Sequence, residues 1–434
     1  MRGEPVFDVA GIGIGPSNLS VAALLARWPD VRTRFFDRRP EFQWHAGLMF
    51  PEAVLQVSYL KDLVTLADPT SPYSFLAFLA STKRLYRFIN AGFPRVRRRE
   101  FNHYLQWVCG QLAGLEFGKG VEGVSFDDDL VLQLAGGRVR ATNVILGVGP
   151  VPYMPDCVAA HRCSTVFHAA DFLQSGLDPR GQRIAVVGGG QTGAEIVLQL
   201  IANSDRLPRE LFWISRRANF LPLDESPFAN EWFTPSYSDF FFHLPAAVRS
   251  QLLAEQKLAS DGISPPLLET IYQRLYELEF IEASPCRCRL WPGRVLTSFG
   301  REAGSWMLEL DERCTATREA LRVDHVILCT GYSYGLPPFL APIADRIQLE
   351  NGQYQLNEDF SIVWDGPADR RIYVQNAARF RRGIADPNLS LLAWRSAKIV
   401  NSLLGRSAYD VDDEAPLIDW GTYAAVPEHQ EAWA

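Results

Sequence analysis

The first regular pattern along the chain is a short apolar run, Val6-Phe-Asp-Val-Ala10, which predicts a buried strand. It passes at once into Gly11-Ile-Gly-Ile-Gly-Pro-Ser-Asn18. Apolar positions then recur at helical spacing from 17 to 28, with Ser17 or Asn18 expected as the cap. A second apolar strand, Thr33-Arg-Phe-Phe36, ends in Asp37. The same order returns later: Arg183-Ile-Ala-Val-Val187, the turn Gly188-Gly-Gly-Gln-Thr-Gly193, a helix from Ala194 to about Ile201, and a strand Leu211-Phe-Trp-Ile214. This second copy ends in Ser215-Arg216-Arg217 where the first has an acid. Strand, glycine turn, helix, strand is the order of a dinucleotide-binding βαβ unit, and two copies predict an α/β chain with two Rossmann-like domains. Each copy is followed downstream by a strand that runs into glycine, Val144-Ile-Leu-Gly-Val-Gly149 and Val326-Ile-Leu-Cys-Thr-Gly-Tyr332. Between Pro222 and Ala283 the pattern turns helical and aromatic, which predicts a helical insertion into the second domain. The stretch from Pro416 to Ala434 has little periodicity and is expected to pack loosely.

The two turns carry the first candidate chemistry. Glycines let the backbone approach a pyrophosphate, and the helix start behind them offers free N–H groups and the positive end of the dipole. One such turn is weak evidence; two, each between a strand and a helix, imply two dinucleotides, which points to a flavin plus a nicotinamide. In the first, Gly11, Gly13 and Gly15 form the turn, Pro16 takes the place of a third glycine, and Asp37 is placed to accept from an adenosine ribose, as FAD offers. In the second, Gly188, Gly190, Gln191 and Gly193 form the turn, and Ser215, Arg216 and Arg217 would draw a 2′-phosphate, favouring NADPH over NADH. The alternative for the two arginines is an ordinary solvated surface pair.

Length and charge narrow the picture further. A chain of 434 residues exceeds one ordinary core and predicts two or three domains. A net charge of -7 leaves no domain-wide basic excess for nucleic acid. The densest basic run, Arg95, Arg97, Arg98 and Arg99, reads as a solvated loop or a phosphate contact. Seven scattered cysteines without a CxxC fit a reducing compartment and free buried thiols. Cys286 and Cys288 form a CxC without the further ligands a zinc site requires. With no signal peptide and no apolar run long enough to span a bilayer, the expected location is the cytoplasm. A flavin disulfide reductase would need a redox cysteine pair near the first helix, which is absent.

Several segments together resemble one family, the lysine/ornithine N-hydroxylating flavoprotein monooxygenases of siderophore biosynthesis. They are Gly15-Pro-Ser-Asn-Leu19, Phe42-Gln-Trp-His45, Leu55-Gln56, Leu60-Lys61-Asp-Leu-Val64, Pro69-Thr-Ser-Pro-Tyr-Ser-Phe75, Phe228-Ala-Asn230 and Asp324 to Pro337. The resemblance implies NADPH reduction of FAD, addition of O2 to give a C4a-hydroperoxyflavin shielded by retained NADP+, and attack by a neutral amine to give a hydroxylamine and water. The Leu-Lys-Asp-Leu-Val run sets the chain apart from carbon- and sulfur-oxygenating flavin monooxygenases of similar fold.

The resemblance also implies roles residue by residue. Trp44, His45 and Gln56 lie against the flavin, and Lys61 meets the substrate carboxylate. Asn230 sits between the amine and the nicotinamide, and Ser390 belongs to a late segment closing over flavin and substrate. Thr330, Gly331 and Tyr332 join the cofactor-binding set. It further implies an FAD-binding domain over 1–178 and 326–434, an NADPH-binding domain over 179–222 and 284–325, a helical substrate-binding insertion over 223–283, and a homo-oligomer, tetramer or dimer. Ala259-Ser-Asp-Gly-Ile263 stands where ornithine enzymes carry Asn-Tyr, and Lys61 favours an amino acid over a diamine, so L-lysine is the expected substrate. Asn230 in place of an aspartate, and Arg382 where histidine is common, keep cadaverine and putrescine open.

Overall fold

The computed structural model describes residues 6–412 and 416–421; the stretch from 422 to 434, expected to pack loosely, lies outside them. Within the described part of that tail, Trp420 packs on Tyr237 and Phe240, at ring-centroid distances of 4.7 and 6.3 Å.

Strand β1 (Val6–Ile12) leads into helix α1 (Pro16–Leu25), then β2 (Thr33–Phe36). β1 pairs in parallel with β2 on one side and β6 (Gly137–Leu146) on the other. The first sheet runs β3 (Leu115–Glu116), β2, β1, β6, β5 (Asp129–Leu134), β4 (Val121–Asp127), and the strand Ile372–Val374 also joins β6. Helix Leu392–Leu404 covers it beside α1. The late strand and helix thus return the chain to the first unit, and their apolar residues share one core with β1 and β6.

The second sheet is wholly parallel, in the order β11 (Arg287–Trp291), β10 (Glu210–Ile214), β9 (Arg183–Val187), β15 (His325–Leu328), β8 (Val166–His168). Strands buried on both faces read as continuous apolar runs, as Ile-Ala-Val-Val and His-Val-Ile-Leu do. Helices Gln191–Ile201 and Pro265–Tyr276 cover one face. The antiparallel meander β12 (Arg294–Glu302), β13 (Ser305–Glu312) and β14 (Arg318–Val323) covers the other. Val166–His168 and His325–Leu328 therefore pair in the second sheet, although the expected boundaries place the first wholly, and the second largely, in the first unit. Short β8 has no pattern of its own, and only its pairing to β15 reveals where it belongs. The chain crosses between units twice, and the crossings pair as β7 (Val151–Pro152) and β16 (Tyr332–Ser333).

The structure corrects two helix starts. Gly15, not Ser17 or Asn18, is the N-cap of α1, because Pro16 needs no N–H partner and suits the first helical position. Asn18 is drawn inward instead, its amide donating to the Gly13 carbonyl at 2.8 Å and its oxygen accepting from Gln375 at 3.0 Å. The second helix starts at Gln191 rather than Ala194, with Gly190 as N-cap.

Candidate active site

The two glycine turns are built alike. A Cβ on Gly13, at φ +89°, would lie 2.6 Å from the Gly147 carbonyl oxygen. One on Gly188, at φ +144°, would lie 2.1 Å from the Cys329 carbonyl oxygen. In each unit the strand after the βαβ pairs beside the first strand, and its last carbonyl presses on the turn. The Gly147 amide donates to Ile12, and the Cys329 amide to Val187, at 2.9 and 2.8 Å. That is the work of the two downstream strand-plus-glycine segments. Over the helix starts there is room: a Cβ on Gly15 or Gly190 would meet nothing closer than 3.8 or 3.6 Å, and neither helix has a side-chain cap. Open N–H groups under free space fit a diphosphate at both turns.

At the first turn Asp37 is buried, and its carboxylate accepts from the Ile14 amide at 2.8 Å and from the Arg39 side chain at 2.6 and 3.0 Å. Burial works to raise this carboxyl, but the Arg39 and Ile14 hydrogen bonds outweigh it and hold it below the ordinary range. Asp37 is therefore an anion at neutral pH, held against the first turn by the Ile14 amide and Arg39.

At the second turn the insertion closes in. Gln191 accepts from the Ser264 amide at 2.9 Å and donates to Glu195 at 3.0 Å. Arg217 donates to the Asp261 carbonyl at 2.8 Å, and Arg379 reaches Asp261 and the Ser260 hydroxyl at 3.7 and 3.2 Å. Ser215 is buried, its hydroxyl accepting from the Arg217 amide. Arg216 is exposed, with no side-chain hydrogen bond among the described residues. Lys257 lies within the field of Arg216, Arg217 and Arg379; partial burial first, then these charges, lower its pKa. Three segments distant in sequence thus gather Arg216, Arg217, Lys257 and Arg379. Lys257 and Arg379 escape sequence reasoning because neither lies near a glycine turn along the chain.

The basic run 95–99 is tied into ion pairs and carbonyl contacts rather than left as a free solvated loop. Arg95 pairs with Glu225, Arg97 with Glu52 at 2.6 Å and Arg98 with Glu195 at 2.9 Å, while Arg99 donates to the Met49 carbonyl. The Arg98–Glu195 pair is largely buried and ties helix Arg98–Gln111 of the first unit to the helix of the second turn. Arg95 holds Glu225, five residues before Asn230, against the segment next to Leu55 and Gln56. Asn230 ends the short helix Pro227–Asn230 and is exposed. Gln56 is exposed as well, without a side-chain hydrogen bond among the described residues.

His45 adopts a left-handed backbone, φ 49°, and packs on Trp44, which in turn packs on Phe101. Its ring is accessible but enclosed by surrounding protein. That enclosure, with the nearby Arg98 guanidinium, pushes its pKa down to about 4, so the imidazole is neutral at physiological pH. A group that resists protonation in the folded state but titrates near 6.5 unfolded destabilises the fold as pH drops from about 6.5 toward 4. His45→Asn, which tolerates the left-handed backbone, is expected to lose less Tm than the parent protein between pH 7 and pH 5.

The Leu60–Val64 run divides its labour. Asp62 is buried and accepts from the Val64, Thr65 and Phe75 amides at 2.9, 2.7 and 2.6 Å, so it shapes the loop. Lys61 points elsewhere: its ammonium donates to the Ser390 hydroxyl at 3.1 Å, joining residues 329 apart in sequence. Ser390 is buried, held by Asn388. Partial burial lowers the Lys61 pKa, and no carboxylate pairs with it among the described residues. Arg382 is not in this site. It is buried over the Phe242 and Phe360 rings at 4.1 and 4.6 Å, paired with Asp239, which also holds Lys398. Thr330, Gly331 and Tyr332 lie at the crossing: Thr330 donates to the Tyr153 carbonyl, the Gly331 carbonyl accepts from the Tyr153 amide, and Tyr332 packs on His168. The cysteines are all free, but none is fully buried: five are partly buried, and Cys163 and Cys314 are exposed.

Two dinucleotide-type folds joined by a double crossing define the class of a two-nucleotide oxidoreductase. Residues 5–334 match the family described as L-lysine 6-monooxygenase/L-ornithine 5-monooxygenase. The chain is 40% identical to the L-lysine N6-monooxygenase of Escherichia coli, across 95% of this chain and 98% of that one. The FAD-bound cadaverine monooxygenase of the desferrioxamine pathway of Erwinia amylovora superposes with a TM-score of 0.89, at 32% identity, covering 99% of this chain and all of that one. The ornithine N-hydroxylase of Kutzneria, with reduced FAD, NADP+ and L-ornithine, superposes with a TM-score of 0.86 at 30% identity, covering 93% of this chain and all of that one. The chain belongs to the L-lysine 6-monooxygenase/L-ornithine 5-monooxygenase family. No helix among the described residues is long and apolar enough to cross a membrane.

Proposed function

We propose that this enzyme hydroxylates the side-chain nitrogen of L-lysine, consuming NADPH and O2 and yielding N6-hydroxylysine, water and NADP+, for a hydroxamate siderophore. The observation that carries the substrate choice is Lys61: a half-buried ammonium bonded to Ser390 and, among the described residues, to no carboxylate. Such a cation is stabilised by an anion arriving with the substrate, and an α-carboxylate supplies one. A diamine would present a second cation there, so cadaverine and putrescine are disfavoured.

FAD occupies the fold of β1 to β6 and NADPH that of β8 to β11 with β15, and the 223–283 insertion covers the amine. When bound, FAD reduced by NADPH supplies the oxygen transfer. The chain's own residues do the rest. Gly13 and Gly15 seat one diphosphate, with Asp37 on its ribose; Gly188 to Gly193 seat the other. His45, neutral and tilted against Trp44, and Gln56 border the flavin ring without bringing charge to it. Asn230 carries an amide N–H that only the neutral amine, with its free lone pair, can accept, which favours it over the ammonium. Retained NADP+ is held by Gln191 and the crossing residues 330–332, which keep water from the reacting atoms. The test is mass spectrometry of L-lysine turned over with FAD and NADPH: one added oxygen on the side-chain nitrogen supports the reading, and unchanged lysine overturns it.

Arg216, exposed and unbonded, takes the 2′-phosphate, while Arg217 serves chiefly to hold Asp261. Arg216→Ala is therefore expected to raise the KM for NADPH by roughly tenfold or more, as loss of a charge-assisted hydrogen bond implies, and to leave NADH unchanged. Arg217→Ala is expected to weaken both. Equal losses for both nucleotides with Arg216→Ala would remove it from the phosphate. The enzyme works in the cytoplasm as a homo-oligomer, a dimer or tetramer, which light scattering on the eluted holoenzyme checks.

A further inference from the structure

Cys286 and Cys288 flank Arg287 where the insertion returns to edge strand β11. Alternate residues of an extended chain share a face, and here the two sulfurs lean together to 3.7 Å. Both are half-buried. Cys288 packs on the apolar layer beneath the second sheet. Cys286 opens on a groove of about 510 Å3 lined by Ser204, Arg209, Glu282 and Ser284. Neither thiol has a part in the reaction proposed above.

We propose that Cys286 and Cys288 are an oxidisable dithiol site that takes hydrogen peroxide and closes to an intramolecular disulfide. The Cys286 sulfur attacks one peroxide oxygen and the O–O bond breaks, leaving Cys286 as a sulfenic acid. The departing hydroxide takes the thiol proton and leaves as water. The Cys288 sulfur then attacks the sulfenic sulfur, an S–S bond forms, and a second water leaves. Two thiols and one peroxide give one disulfide and two waters; sulfur is oxidised and peroxide reduced. The order of attack follows from placement: Cys286 opens on the groove, where peroxide can reach it, while Cys288 packs into the apolar layer and is the resolving thiol. Peroxide need not come from outside. An O2-activating enzyme that oxidises NADPH without an amine converts NADPH, H+ and O2 to NADP+ and H2O2, and this source rests on the proposed function. The carbonyl of Trp291, at the far end of β11, accepts from the Ser215 amide, so the strand that would be strained by closure also supports the nucleotide loop.

The test uses reduced, FAD-loaded full-length enzyme treated with hydrogen peroxide, alkylated, and digested with trypsin, which cuts after Arg287 and separates the two cysteines unless they are joined. The expected result is a disulfide-linked pair of peptides, two hydrogens lighter than the free ones and split by dithiothreitol. Cys288→Ser is expected to leave Cys286 as a sulfenic acid that dimedone captures. Exposed Cys163, whose thiol is held below the ordinary range, serves as the internal control for peroxide reaching a lone thiol. Modification of Cys163 while Cys286 and Cys288 stay fully alkylatable would overturn the proposal. A second arm supplies NADPH and O2 without amine, with and without catalase. Linkage with added peroxide but none in this arm upholds the dithiol and counts against the activity as the source of oxidant; linkage that catalase prevents supports both.

Discussion

Lys61→Ala is expected to raise the KM for L-lysine by roughly 10- to 150-fold while kcat stays within a few-fold, because a hydrogen bond to a charged group contributes about 1.5–3 kcal/mol to binding. The contact lies at the amino-acid end of the substrate, away from the reacting nitrogen, so ground state and transition state lose it together. Two further readings separate this from damage to the fold. The Lys61 ammonium is partly buried and, among the described residues, has only a neutral hydroxyl for a partner, so its removal relieves desolvation, and the variant's Tm is expected not to fall. Cadaverine, which has no carboxylate to lose, should be used no worse by the variant than by the parent. An equal rise in KM for lysine and cadaverine would contradict the carboxylate role.

Gly188→Ala is expected to reduce NADPH binding by about two orders of magnitude or more while FAD uptake persists. The glycine holds φ +144°, and its new Cβ would lie 2.1 Å from the Cys329 carbonyl oxygen, a backbone atom that β9–β15 pairing keeps in place. Strain of this backbone type alone costs of order 1–3 kcal/mol, and the overlap adds to it. The first turn has its own carbonyl contact, Gly13 on Gly147, and feels none of this. Gly190→Ala is the control: its Cβ would meet nothing closer than 3.6 Å, so the fold survives and only the space above the helix start is taken. Titration of both nucleotides by fluorescence checks the pair, and loss of FAD in Gly188→Ala would reverse the assignment of the two folds.

Much of this architecture is legible in local pattern. β1, β2, β9 and β10 appear as apolar runs beside glycine turns because such strands are buried and the turn must pass close to a neighbouring carbonyl. Helix starts were harder: Asn18 has the side chain of a cap, but Pro16 claims the first helical position and Asn18 goes to the turn carbonyls. Pairings across long sequence gaps carry no local signal. Short β8 joins the second sheet only through β15, and the arginines at 95, 97 and 98 find their acids in three other segments. The site divides the same way. The glycines and Asp37 are readable as motifs, and Lys61 and Ser390 each stand in a separate segment. Their 3.1 Å contact, with no acid beside Lys61 among the described residues, is a tertiary fact that joins the two candidates. Arg382, which stands where histidine is common in the family it resembles, is a buried support clamped by Asp239 between two aromatic rings.

The most direct test of the central claim is the amount of hydroxylamine formed per NADPH consumed, with FAD added and L-lysine, L-ornithine, cadaverine and putrescine offered in turn. Near-stoichiometric product with L-lysine, and NADPH oxidation without matching product for the other three, is the predicted result. Coupled product from the diamines in preference to lysine would contradict the reading of Lys61, and no hydroxylamine from any of the four would contradict N-hydroxylation itself.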